Sequence, residues 1–96
     1  MSRKRVLNLL KQHQTEIQEL GVRSHALFGS VARNQAGPDS DVDLLVEFLK
    51  PPNFDRFMDV KLYLEDILGR KVDLVMSQSV RPQVRPFIEQ DLVTIA

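Results

Sequence analysis

The sequence predicts an α/β (α+β) fold: a small mixed or mainly parallel β-sheet flanked by helices. Three observations lead there. Short apolar, β-branched runs stand at VRSHALF, VDLLVEF and KVDLVM. Stretches with helical apolar spacing precede and separate them. Gly and Pro clusters punctuate the boundaries. The resulting order is α-β-α-β-α-β-α with a small final strand, and 96 residues correspond to one domain, 1–96.

Residues 2–20 carry Val6, Leu9, Leu10, His13, Ile17 and Leu20 at helical spacing. Ser2 is placed to cap this helix and Gly21 to stop it, with His13 at the edge of the core. Residues 22–28 form a strand that ends at Gly29, and Ser30–Ala36 form a short helix with Ser30 at its N-terminal end. Gly37-Pro38-Asp39-Ser40 is a turn, with Ser40 part of it. Residues 42–48 give the clearest strand; its nearly continuous apolarity predicts cover on both faces. Pro51-Pro52-Asn53 then breaks the chain.

Residues 54–68 form a second amphipathic helix with Phe57, Val60, Leu64 and Leu68 on one stripe, closed by Gly69. Tyr63, the only tyrosine, is a packing or surface residue within it. Residues 71–76 make a third strand and Ser77–Ser79 a loop. Residues 80–90 form a short or kinked helix, in which Pro82 suits a first turn and Pro86 would break an interior. A small strand follows at 92–95.

Composition excludes several function classes. Thirteen basic residues balance thirteen acidic ones, so no global field draws the chain to nucleic acid or an anionic membrane. Arg3-Lys4-Arg5 is a local basic patch and reads as a solvated helix start. The absence of cysteine rules out disulfides and thiolate metal sites and fits a cytoplasmic setting. No apolar run approaches the roughly 18 residues of a membrane helix. The opening MSRKRVLNLLKQHQ lacks the features of a signal peptide. A domain this small has little room for a deep cleft of its own, which points to a shallow site or a partner.

Chemistry concentrates in LFGSVARNQAGPDSDVDLLVEF, Leu27–Phe48. Asp41 and Asp43 stand two apart at a strand mouth, so their side chains share a face about 6–7 Å apart. Such a pair repels unless a cation lies between, and Mg²⁺ accepts one or two carboxylates plus waters and phosphate oxygens. Asp73 interrupts another apolar run and completes the cluster if its strand pairs with that of Asp43. Three carboxylates around two Mg²⁺ ions suit an in-line nucleotidyl displacement. Gly29 permits close approach of backbone to ligand, Ser30 adds a hydroxyl beside free helix N–H groups, and Arg33 lies one turn on. Together Gly-Ser, ten intervening residues and Asp-x-Asp would occur by chance in roughly one chain in a thousand of this length.

The segments GSVARNQAGPDSDVDLLVEF and FDRFMDVKLYLEDILGRKVDLVM resemble the polymerase-β-like nucleotidyltransferase superfamily. They are especially similar to its small single-domain prokaryotic members, the minimal nucleotidyltransferases, over about Val22–Val93. The resemblance implies that Gly29 and Ser30 hold the triphosphate, with Arg33 a lesser candidate for stabilising its charge. It implies that Asp41, Asp43 and Asp73 bind two Mg²⁺, with ATP as substrate. Asp41 and Asp43 would bridge both metals; Asp73 would bind the one nearest the acceptor and help take its proton.

Minimal members commonly act as antitoxins to HEPN-domain toxins, typically ribonucleases. The implied activity is AMP transfer from ATP to a tyrosine hydroxyl of that partner. An alternative is a non-catalytic antitoxin that masks the HEPN protein by binding it. A further alternative is nucleotidyl transfer to a small molecule or nucleic acid, for which no second substrate domain or basic field is visible. Direct nucleic-acid binding and membrane association are not expected.

Overall fold

The computed structural model describes residues 2–95. Its elements are α1 (Arg3–Gln12), α2 (Gln14–Glu19), β1 (Val22–Phe28), α3 (Gly29–Ala32), β2 (Val42–Phe48), α4 (Phe54–Leu68), β3 (Val72–Met76), a 3₁₀ turn (Ser77–Ser79), α5 (Arg85–Gln90) and β4 (Val93–Thr94). Four strands form one mixed sheet in the order β3-β2-β1-β4. β1 runs antiparallel to β2 and β4, whereas β2 and β3 are parallel. The parallel pair needs a long crossover, which the 15-residue α4 supplies. Asn53 caps that helix by accepting the Arg56 N–H at 2.8 Å, and Gly69 closes it in the left-handed conformation.

The core lies on one face of the sheet. Val6, Leu10 and Ile17 from α1 and α2, Leu27, Leu44 and Val46 from the strands, and Val60, Leu64 and Leu68 from α4 all belong to it. Complete burial of each leucine contributes about 1.5–3 kcal/mol. Contrary to the sequence expectation, β2 is not covered on both faces. Its burial alternates strictly: Val42, Leu44, Val46 and Phe48 are buried, while Asp43, Leu45 and Glu47 are half-exposed. Leu45 makes the run look continuous although it belongs to the open face.

Other departures are local. The first helix divides at His13, whose ring Nδ1 donates to the Leu9 carbonyl at 2.9 Å; His13 closes α1 and opens α2. It packs edge-on against Tyr63 at 6.3 Å, so both residues sit at the core margin as expected. The helix expected over 30–36 is only the four residues of α3, because the chain turns left-handed at Asn34, with φ 59°. The last helix begins at Arg85, which places Pro86 in its first turn, where a missing N–H costs nothing, rather than in an interior.

Candidate active site

Asp43 pairs in register with Asp73 across the parallel β2–β3 ladder and with Phe28 across the antiparallel β1–β2 ladder. In-register neighbours point to the same face about 5 Å apart. Both carboxylates therefore stand together on the open face, at the starts of their strands. Asp41 precedes β2 by one residue and is exposed. The expectation that the third acid joins the first two depends on strand register, and this register brings Asp73 to Asp43, while Asp41 lies outside the ladder.

Asp43 carries the electrostatic signature of the cluster. Its pKa is raised to about 6, first by burial and then by the charges of Asp73 and Asp41, with hydrogen bonding to Asp73 adding to the effect. The Arg33 guanidinium opposes the rise. A carboxylate held in this way has unmet demand for positive charge.

Gly29 follows β1 directly and adopts φ 74°. A Cβ here would collide with the Asp43 carboxylate, its Cγ lying only 2.9 Å away. The glycine is thus required twice, for its backbone conformation and for the space that Asp43 occupies. Ser30 is half-exposed at the start of α3, which is capped by extended backbone at Phe28 rather than by a side chain. With only four residues, α3 contributes little macrodipole. Its early N–H groups and the Ser30 hydroxyl remain as donors beside the acids.

Contacts of three side chains, Glu65, Arg70 and Arg3, fix this geometry. Glu65 accepts the Val72 N–H at 2.9 Å and Lys61 at 3.2 Å, anchoring the start of β3 one residue before Asp73. These bonds, the Val72 N–H first, hold the Glu65 carboxyl below its usual range. Arg70 donates to the Pro38 carbonyl, tying the turn before Asp41 to the turn before β3. Arg3 donates through Nη1 to the Ala32 carbonyl at 3.2 Å, so the basic start of α1 also steadies the end of α3. Ser40 behaves as the turn residue expected, its Oγ accepting the Gly37 N–H at 2.9 Å. Arg33 is placed beside the acids but is ion-paired to Asp91 at 2.6 Å.

The donor set is all carboxylate oxygen, the hard chemistry that Mg²⁺ selects, and the Asp43–Asp73 pair matches the one or two carboxylates it needs. These residues fit the ion as a partial site open to water and phosphate oxygens. Among the described residues, no three Asp, Glu, His or Cys side chains are placed to hold a metal ion together, so in place of the expected three-carboxylate cluster the fold presents the Asp43–Asp73 pair, with Asp41 exposed just before β2. The site is also shallow. A pocket of about 480 Å³ opens instead at the other end of β2, lined by residues including Leu20, Phe48, Leu49, Pro51, Asp55 and Asp59, and contains none of the three acids. No helix among the described residues is long and apolar enough to cross a membrane.

Comparison with known proteins places this arrangement. A protein adenylyltransferase of Thermococcus cleftensis, MntA, is 38% identical over 89 residues, covering 92% of this chain and 90% of its own. A Methanocaldococcus jannaschii chain provisionally named a protein adenylyltransferase is 39% identical over 92 residues, 94% of each chain. A solved structure provisionally named a minimal nucleotidyltransferase superposes with a TM-score of 0.83 at 30% identity, over 97% of this chain and 95% of that one. The fold also matches, at 16% identity and a TM-score of 0.69, a complex of tri-AMPylated Shewanella oneidensis HEPN toxin with MNT antitoxin; 94% of this chain and 71% of that one are covered. The nucleotidyltransferase-domain family profile spans residues 10–95, and with the acids of β2 and β3 in register behind Gly29, the chain belongs to that family.

Proposed function

We propose that this chain is an antitoxin-type protein adenylyltransferase. It transfers AMP from ATP to a tyrosine hydroxyl of a HEPN-domain partner and so neutralises it. The observation that carries the reading is the in-register pairing of Asp43 with Asp73, with the Asp41 charge acting on Asp43 and Gly29 shaped around the Asp43 carboxylate. Relatives named protein adenylyltransferase support it, as does the fold shared with an antitoxin in complex with an AMPylated HEPN toxin.

In the transfer, the tyrosine oxygen forms a bond to the α-phosphorus of ATP. The bond from that phosphorus to its bridging oxygen breaks, and pyrophosphate leaves. Asp41, Asp43 and Asp73 would hold Mg²⁺, which supplies charge neutralisation of the triphosphate and acidifies the attacking hydroxyl. Asp73, the more exposed of the paired acids, is the one open to an incoming acceptor and would receive the hydroxyl proton. The Gly29–Ser30 backbone and the Ser30 hydroxyl seat phosphate oxygens. The shallow, solvent-open site fits a protein acceptor that supplies the missing wall.

Masking by simple binding is the second reading. The exposed side chains of Phe54 (75%) and Phe87 (71%) favour some contact surface. The two readings separate in one experiment. Incubation with a HEPN partner, Mg²⁺ and labelled ATP is expected to label the partner, and Asp41→Asn should abolish the label. Full neutralisation by Asp41→Asn, with no mass added to the partner by either form, would leave only masking.

A further inference from the structure

Arg33 and Asp91 are 58 residues apart in the chain, yet Arg33 Nη1 donates to Asp91 Oδ2 at 2.6 Å. Asp91 follows α5 and precedes β4, and its side chain is only 18% exposed. On the other flank of the guanidinium, Nε donates to Gln35 Oε1 at 3.2 Å. Two of the guanidinium nitrogens are thus held by protein, and Nη2 has no protein partner among the described residues. The plane of the fork is fixed while its outer donors stay available. Arg33 stands directly after α3, within the electrostatic reach of Asp43.

The remainder of the C-terminal segment holds Asp91 in place. At the start of α5, Arg85 donates through Nη2 to the Ser77 carbonyl at 3.0 Å, just past the end of β3. After Asp91, β4 pairs with β1 through Leu27↔Val93 and Ala26↔Thr94. The segment is therefore pinned at both edges of the sheet, and Asp91 is presented to the acid end by fixed backbone. A long arginine left to itself samples many rotamers, and each must be frozen when a phosphate binds.

We infer that Asp91 is a positioning residue for the transfer: through its ion pair it aims the Arg33 guanidinium at the triphosphate seated on Gly29 and Ser30. The inference rests on the nucleotidyl-transfer reading above. It assigns the C-terminal segment, which contributes no carboxylate to the acid cluster, a part in nucleotide affinity.

The test is a double-mutant cycle in AMP transfer to the HEPN partner, with KM for ATP and kcat measured separately. Asp91→Ala is expected to raise KM for ATP roughly tenfold, with a smaller change in kcat. Asp91→Asn keeps the shape and an acceptor while removing the charge, and should give an intermediate rise in a fully folded chain. In an Arg33→Ala background, Asp91→Ala should add nothing further, because the residue it aims is gone. Transfer by the parent chain with KM unchanged in Asp91→Asn and Asp91→Ala overturns the inference and spares the proposed activity. The same holds if the two substitutions act additively. Absence of transfer by the parent chain removes the activity, and this inference with it.

Discussion

The two faces of β2 are made by the same seven residues and have opposite properties. On one, Val42, Leu44 and Val46 are 1% exposed or less and Phe48 6%. On the other, Asp43, Leu45 and Glu47 remain half-exposed, and Asp43 is pushed toward its neutral form first by burial and then by neighbouring carboxylates. The buried face supplies the free energy of folding. The open face draws on it, because like charges in register oppose the folded state. A strand anchored this firmly on one side can keep unfavourable side chains at fixed positions on the other. This division predicts that substitutions on the open face remove activity and preserve or raise stability, while those on the buried face do the reverse.

The largest expected effect is on the open face. Asp73→Asn should lower the rate of AMP transfer about a thousandfold or more, measured by label incorporated into the partner. Its urea midpoint should fall no lower than that of the parent chain. On the buried face, Leu44→Ala should cost about 2–5 kcal/mol in urea unfolding, since Leu44 is fully buried within the core cluster and its truncation leaves a cavity there. At concentrations and temperatures where it remains folded, its transfer rate per folded molecule should stay within a few-fold of the parent.

Gly29→Ala should affect both properties. The new Cβ strains a φ of 74° and displaces the Asp43 carboxylate. A loss of about 1–3 kcal/mol in stability is expected together with a clear loss of transfer. Stability lost without any change in transfer would separate Gly29 from the acid site.

The smallest effect is the pH dependence of the metal-free chain. Asp43 has a folded pKa of about 6, above its ordinary value of 3.8. A raised carboxyl pKa means that the folded state binds the proton more tightly than the unfolded one. Its contribution to stability is fully present below about pH 4 and is lost as pH rises through about 6. Because Asp43 is partly exposed, the change is about 1 kcal/mol once solvent screening is discounted. Thermal unfolding scanned from pH 4 to pH 7 checks this, with Asp43→Asn as the variant that should flatten the slope in this window.

Much of this division was legible in the chain. Residues 22–28, 42–48 and 54–68 keep their expected bounds, because apolar spacing and strong punctuation by Gly29, Pro51-Pro52-Asn53 and Gly69 agree there. The first helix shows where such agreement fails: its periodicity runs unbroken through His13, and the ring-to-Leu9 contact that divides it leaves no trace in spacing. β2 looked two-sided because Leu45 extends the apolar run, while a single open face is set by what packs against the sheet. The acids were identifiable by residue type and spacing. Their meeting was expected only on the condition that the two strands pair, and the register that meets it for Asp43 and Asp73 is held by Glu65 binding the Val72 N–H and Arg70 reaching Pro38, contacts made only after folding. Arg33 was visible as a candidate, but Asp91, 58 residues away, carries no local signal.

The most direct test combines two readouts on Asp43→Asn. Intact-mass spectrometry of the HEPN partner after incubation with Mg²⁺, ATP and the variant is read beside the variant's own melting temperature at pH 7. No AMP is expected on the partner, with a melting temperature equal to or above that of the parent, because the variant removes a charge that the fold resists. Undiminished AMP transfer, or lost transfer accompanied by a substantially lower melting temperature, would contradict the claim that Asp43 serves the chemistry at the expense of the fold.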